Sequence, residues 1–419
     1  MTAQQGDPVL VAAADRGATR RGNLGLILRL LRDHGARSQA KISQETGLPK
    51  ATVSNLMSEL VGRGLVSDSH VERGRAMGRP GQALDVDGTG ICAIGAEINP
   101  AYLGVTAEAL QGKQLYRRSV ALNVEALDPS DTLDRLARML RAALTAMRKD
   151  GQVVVGICVA LPGVVDSEAG RSVFASGIGW SNIDVAGQLR AKLGADLPGL
   201  RVENDVRVSA VAEYAQVAAG FGVQDLVYVT GAAGVAVGII ANGRLIRGHA
   251  GHSGEIGHTS LDRSDRRQCA CGRTGCWELS VGAGRFLELA AEADDTVRDP
   301  DRDLEERIGE LRRRADNGDR RTLAAVAEVA DSLGAGVAML CDVLDPRVVV
   351  LGGYFSVFGD YFVNPVQQLL DAKAMAPSLP RTRVIGSAFG FDSTTRGAAA
   401  NALESVYQDP TIVPLAAEA

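Results

Sequence analysis

Apolar residues Leu24, Ile27, Leu28 and Leu31 recur at the i, i+3, i+4, i+7 spacing of one buried helix face. Asn23 stands where a cap for that helix belongs, and His34-Gly35 ends it. The pattern then predicts a short second helix capped by Ser38 and reaching about Thr46, a tight turn at Gly47-Leu48, and a third helix opening at Pro49. In the third helix Val53, Leu56, Met57 and Leu60 point inward. Lys50, Ala51, Thr52, Ser54 and Asn55 fall mainly on its other faces, near the N-terminus. Their short polar side chains permit close approach to a major groove. Residues 65–67 and 82–86 read as strands flanking a hairpin tip that carries Arg73, Arg75 and Arg79. Such a wing places cations beside the duplex backbone or in its minor groove. Residues 1–20 thus read as a mobile arm and 21–87 as a winged helix-turn-helix DNA-binding domain. The bland alternative is a small helical domain with a solvated basic loop.

From residue 88 the chain becomes rich in Gly and Val. Strand-like runs at 91–98, 102–109 and 113–121 precede a helix at 128–148, a strand at 152–159, a strand at 200–203 and a helix at 206–218. A second series has strands at 225–230, 234–241 and 244–247, then long helical stretches through 320–343. It closes with a strand at 347–351, a helix at 361–373, a strand at 382–387 and a helix at 394–407. Both series run three strands, then helix, strand, helix. The pattern predicts two sheet-centred lobes with a cleft between them, the kind of place ligands favour.

Charge sharpens this division. Residues 16–79 hold 12 Lys/Arg and 5 Asp/Glu, so a basic module sits on a chain whose overall charge is −5. That asymmetry suits nucleic-acid contact by the module alone. The 16-residue uncharged run 226–241 contains three glycines and is too short and broken for a spanning helix. The first residues lack a basic start and an apolar core, so a secretory signal is not expected and a cytoplasmic location is.

Three of the six cysteines, Cys92, Cys158 and Cys341, lie singly in apolar runs, where a buried thiol is the default. The others form the spacing His258-x10-Cys269-x-Cys271-x4-Cys276. One imidazole and three thiolates make a closed tetrahedral zinc set of structural type, and Gly272 and Gly275 let the backbone turn around it. A reactive redox cluster is the competing reading. A second cluster, Glu203-Asn204-Asp205, ends a predicted strand. There it can hydrogen-bond a polyhydroxylated ligand together with Glu255, His258 and Glu278, or serve only as a turn or helix cap.

These segments resemble the ROK family of repressors, open reading frames and kinases. The resemblance rests on Gly254-Glu255-Ile256-Gly257-His258, on Cys269-Ala-Cys271-Gly272-Arg-Thr-Gly275-Cys276-Trp-Glu278, and on Ala160–Asp166, Gly179-Trp180, Glu203–Asp205 and Val350–Gly353. It implies an α/β protein, with the winged helix-turn-helix joined to a two-lobed actin-like sugar-kinase fold over 88–419. The lobes are expected at about 88–204 plus the C-terminal helix, and at 205–393. It further implies structural Zn²⁺ on His258, Cys269, Cys271 and Cys276, and sugar contacts from Asn204, Asp205, Glu255, His258 and Glu278.

Two departures choose between branches of the family. Kinase members resemble one another in a phosphate loop of Asp-x-Gly-Gly-Thr type, but Glu97-Ile-Asn99-Pro100-Ala101 stands here. Pro100 has no backbone N–H to give a phosphate. The second glycine loop is thinned to Gly231-Ala-Ala-Gly234-Val-Ala-Val-Gly238. Phosphoryl transfer depends on positioning and charge stabilisation, so two damaged cradles predict a binder without catalytic residues. The expected protein is a sugar-responsive regulator, a repressor of carbohydrate-metabolism genes. It would bind operator DNA and a monosaccharide or sugar derivative, act as a homodimer or homotetramer, and have room for a regulatory protein partner. The competing enzyme is an ATP-dependent ROK sugar kinase carrying a DNA-binding module.

Overall fold

The computed structural model describes residues 16–68, 83–194, 197–262, 264–373 and 381–415. They divide into two compact units, Met1–Thr89 with Glu404–Ala419, and Gly90–Leu403. The C-terminal segment therefore packs with the smaller, N-terminal unit, whereas the sequence pattern runs the second domain to residue 419.

In the smaller unit α1 (Arg16–His34) is followed by β1 (Arg37–Ser38), α2 (Gln39–Thr46), α3 (Lys50–Gly62), β2 (Val66–Asp68) and β3 (Ala83–Val86). Helix α1 already covers Arg16, so Asn23 lies inside it and caps nothing, and the proposed arm is helical over its last five residues. Ion pairs of Arg20 with Glu59 and of Arg21 with Asp409 tie down this extra turn. Ser38 does cap α2, accepting from Lys41 N at 3.4 Å. Gly47, at φ 72°, makes the left-handed turn into α3, and Ser43 Oγ fastens that turn by donating to Leu48 O. Leu24, Ile27, Leu28 and Leu31 of α1 and Val53, Leu56, Met57 and Leu60 of α3 are buried, as their spacing predicts, and the two helices pack together. The short β1 was not foreseen; it pairs with β3, giving the order β1-β3-β2. Arg73, Arg75 and Arg79 of the expected wing lie outside the described residues.

The C-terminal segment completes this core. At Gly25 a Cβ would overlap Tyr407 O, so only glycine allows the two backbones to meet so closely. Arg32 stacks 4.4 Å from the Tyr407 ring centroid and bonds Glu404 at 3.0 Å. Arg63 donates to Thr411 O and Val413 O.

The larger unit has two lobes of one plan. In the first, β4 (Ile91–Asn99), β5 (Tyr102–Ala109) and β6 (Gln114–Ala121) form an antiparallel meander, α4 (Pro129–Lys149) crosses over, and β7 (Val153–Leu161) and β11 (Gly199–Asn204) add in parallel. The sheet order is β11-β7-β4-β5-β6. Asp128 caps α4 and Pro129 opens it. A small sheet of β8 (Val164–Asp166), β9 (Arg171–Ala175) and β10 (Trp180–Asp184), followed by α5 (Val185–Leu193), fills a stretch where periodicity had predicted nothing.

Helix α6 (Asp205–Phe221) leads to the second lobe, whose strands are β12 (Leu226–Gly231), β13 (Val235–Ala241), β14 (Arg244–Leu245), β15 (Val348–Gly353) and β16 (Arg383–Gly386), in the order β14-β13-β12-β15-β16. Its helices are α7 (Glu278–Val281), α8 (Ala283–Ala290), α9 (Leu304–Asp316), α10 (Arg320–Leu344), α11 (Tyr354–Phe358) and α12 (Asp360–Lys373). The last helix, α13 (Ser393–Gln408), returns to the first sheet, where a Cβ on Gly95 would overlap Thr395 O and Arg396 bonds Glu108 at 2.8 Å. Strand residues alternate between the two faces of this sheet. Val227, Val229, Val349 and Leu351 pack towards α8 and α10, while Leu226, Tyr228, Val348 and Val350 pack towards α6. That two-sided burial explains why β12 and β15 read as unbroken apolar runs. Helix α10 is apolar and long enough to cross a bilayer, but it is a core helix here, packed against α8 and α12.

Candidate functional site

The two sheets present strand ends to a cavity of about 310 Å³ between the lobes, in the size range of small-molecule sites. Asp205, Glu255, His258 and Glu278, four of the five residues expected to meet a sugar, line it. Asp205 is the first residue of α6. Burial, with the charge of Glu255, lifts its carboxyl to about 6, against bonding from Val206 N.

Asn204 departs from expectation. Its Oδ1 caps α6 by accepting from Arg207 N at 3.0 Å, and its Nδ2 donates to Gly163 O at 2.9 Å. Both ends of the amide are used, the side chain is buried, and it does not line the cavity. The helix-cap reading of that residue holds; its contribution to the site is to fix where Asp205 emerges. Glu203 also turns elsewhere, pairing with Arg247 at 3.1 Å. Arg207 donates to Gly251 O at 2.7 Å, bracing the loop ahead of Glu255.

Glu255 opens the single turn Glu255–His258, which follows Gly254 at φ 95°. A Cβ on Gly254 would overlap Val237 O, so any other residue pushes this turn off β13. Burial raises the Glu255 carboxyl above its usual range, with His258 and His252 opposing.

The knuckle adjoins the cavity. The ligand atoms of His258, Cys269, Cys271 and Cys276 lie within 4.8 Å of one another, and the three thiols are free. Left-handed Gly272 (φ 85°) and Gly275 (φ 66°) turn the chain, and Cys269 N bonds Arg273 O at 2.8 Å across the hairpin. Trp277, next to Cys276, is buried and donates from Nε1 to Ser332 O at 2.9 Å, pinning the knuckle to α10. A borderline-soft ion that prefers four N/S ligands fits this donor set. Cys92 and Cys158 are buried as expected, while Cys341 is only half-buried.

The sequence assigned no role to Glu97, Tyr102, His252 or Phe391, which also line the cavity. Glu97 was noticed only as a departure from a phosphate loop. Its place at the end of a wholly buried strand was the available signal.

On the helix-turn-helix, Lys50, Ala51, Ser54 and Asn55 are exposed and Thr52 is half-exposed, while Val53, Leu56 and Met57 are buried. The start of α3 therefore offers the small polar surface that groove reading requires.

A helix-turn-helix unit carried on paired lobes with a strand-end cleft defines a DNA-binding protein built on an actin-like sugar-kinase fold. The chain belongs to the ROK family, whose model matches residues 94–405; an IclR helix-turn-helix domain matches residues 24–69. It is 26% identical to a xylose repressor of Caldicellulosiruptor bescii over 83% of this chain and 87% of that protein. It is 30% identical to a glucokinase of Halalkalibacterium halodurans over 57% of this chain and 73% of that one. Among solved structures, a ROK family transcriptional regulator described as a homologue of the Escherichia coli MLC protein superposes with a TM-score of 0.72 at 21% identity, covering 94% of this chain and 98% of that one.

Proposed function

We propose that this protein is a sugar-responsive transcriptional regulator, a repressor of carbohydrate-metabolism genes. Its α3 would enter the major groove of operator DNA, with Lys50, Thr52, Ser54 and Asn55 at the contact and Arg73, Arg75 and Arg79 beside the backbone. The reading is carried by one combination: a helix-turn-helix unit and a sugar-type cleft in the same chain, with the phosphate side of that cleft rebuilt. Pro100 has no N–H, and Asn99 Oδ1 already accepts from Ala101 N at 3.1 Å. The loop therefore has little left to cradle a phosphate, which supports a non-enzymatic role over a sugar kinase.

In the cleft Asp205, Glu255 and Glu278 would accept hydrogen bonds from sugar hydroxyls. Zn²⁺ on His258, Cys269, Cys271 and Cys276 would brace the loop that holds Glu255 and the helix start that holds Glu278. With Nδ1 facing the cysteines, His258 would keep its Nε2 proton for the ligand. Bound sugar shifts the balance between states of different DNA affinity only by binding one of them more tightly. A homodimer or homotetramer would match a palindromic operator, in the cytoplasm, and a protein partner could act on the same balance.

The test is binding to DNA upstream of the protein's own gene and its neighbours, at fixed salt, with and without a panel of monosaccharides. Specific binding shifted by one sugar is expected. ATP consumption with a sugar and no specific DNA binding would overturn the regulator in favour of the kinase.

A further inference from the structure

The cavity has an end that the sugar-contact set leaves unused. Strand β4 delivers Glu97 there, almost fully buried. Its Oε1 accepts from Asn99 Nδ2 at 3.2 Å and from Tyr102 OH at 3.0 Å. Its Oε2 is buried without any hydrogen-bond partner. Leaving a buried carboxyl oxygen unsatisfied costs free energy, and a hydroxyl brought to this end of the cavity would remove that cost.

The surroundings define the ligand group. Among the described residues, the carboxyl groups of Glu97, Asp205, Glu255 and Glu278 line the cavity against one guanidinium, that of Arg273 on the knuckle. Arg117 shares a small neighbouring recess with Glu97 but is already paired with Asp392 and Glu305. The charges acting most on Glu97, those of Asp205 and Asp392, are both negative. Burial and Asp205 raise its carboxyl to about 8, so near neutrality it carries a proton and Oε2 can donate or accept. A hydroxyl matches both roles. A phosphate brings nearly two negative charges to a wall of four carboxyl groups, where the Ala101 N–H is already taken by Asn99 and the Arg273 guanidinium is turned to His258 O on the knuckle.

We infer that Glu97 sets the specificity of the cleft: its Oε2 holds a hydroxyl of a neutral, unphosphorylated sugar, and the acidic wall around it rejects the phosphorylated form. This rests on the cleft being the sugar site. The effector class is thereby narrowed to free sugars, ahead of any kinase step that would add a phosphate.

The experiment is calorimetric titration of the full chain with xylose, glucose, mannose and N-acetylglucosamine, each paired with its terminal phosphate ester. At least one free sugar is expected to bind, at least about 100-fold more tightly than its ester, as like-charge placement costs several kcal/mol. Glu97→Ala should weaken that sugar about tenfold and narrow the ratio, while Glu97→Gln, which keeps a donor and an acceptor, should restore affinity near pH 7. An ester that binds as well as its free sugar overturns the inference, as does a ratio unchanged in Glu97→Ala. The sugar-site reading is separated by Asp205→Ala. Binding that survives this change places the sugar elsewhere and removes both claims, as does a panel in which nothing binds. Loss of binding in Asp205→Ala with an unaltered ratio in Glu97→Ala removes only the role of Glu97.

Discussion

His258 Nδ1 lies 3.1 Å from Glu278 Oε1, and that same oxygen is 2.8 Å from Cys269 Sγ. The carboxylate thus leans into the knuckle, towards two of the atoms suited to hold a metal. If Nδ1 and the thiolate bound an ion, Glu278 Oε1 would lose both of these partners, and Glu278 also lines the cavity. His258 and Glu278 each touch the knuckle and line the cavity, so the two sites share side chains.

Metal content should therefore govern ligand affinity. The purified chain is expected to hold zinc by elemental analysis, and Cys271→Ser or strong chelation to release it. Sugar affinity should then fall by about 10–100-fold, the usual cost of losing a supporting interaction around a metal. Titration of stripped protein with unchanged sugar affinity would disconnect the two sites.

Asp205 gives a pH signature with a definite sign. Its folded carboxyl titrates near 6, above the roughly 3.9 of an unfolded Asp. The folded state therefore binds the proton more tightly, and stability falls as pH rises through that window. Asp205→Asn removes this cost. It should raise the melting temperature above pH 6, with the gain fading towards pH 4, while abolishing sugar binding. A melting curve equally shifted at both ends would contradict the assignment.

On α3 two substitutions should separate positioning from reading. Lys50→Ala is expected to weaken binding alike for all DNA sequences and to lower the salt slope by about 1. Asn55→Ala should cost about 1–3 kcal/mol on the preferred operator and relax sequence choice at one base pair. Equal losses on operator and random DNA for both variants would place Asn55 on the backbone.

Gly254→Ala tests how tightly the Glu255–His258 turn is held. The added Cβ meets Val237 O, and the residue sits at φ 95°. A loss of stability of about 1–3 kcal/mol is expected from the strained backbone alone. Sugar affinity should fall with it, because Glu255 and His258 move together. Calorimetry and thermal unfolding of the one variant check both.

Local chemistry carried much of this molecule. The apolar spacing of α1, the Ser38 cap and the Gly47 turn are properties of a few neighbouring residues, and they appear where the pattern puts them. The doubled strand-helix order was legible too, because strands buried on both faces must read as apolar runs. The four knuckle residues fall together because three lie within eight positions and Gly272 and Gly275 permit the left-handed turns between them. What the sequence could not decide was which polar group faces which cavity. Asn204 and Asp205 are adjacent, yet one spends both ends of its amide on the backbone while the other lines the cleft. Glu97 gains its meaning only when β4 is buried and Asp205 is brought near. The C-terminal segment meets the N-terminal unit across a contact that a side chain at Gly25 would block, between residues almost four hundred positions apart. Periodicity and capping act over a few residues, whereas desolvation and charge pairing depend on groups far apart in the chain, and folding alone sets those distances.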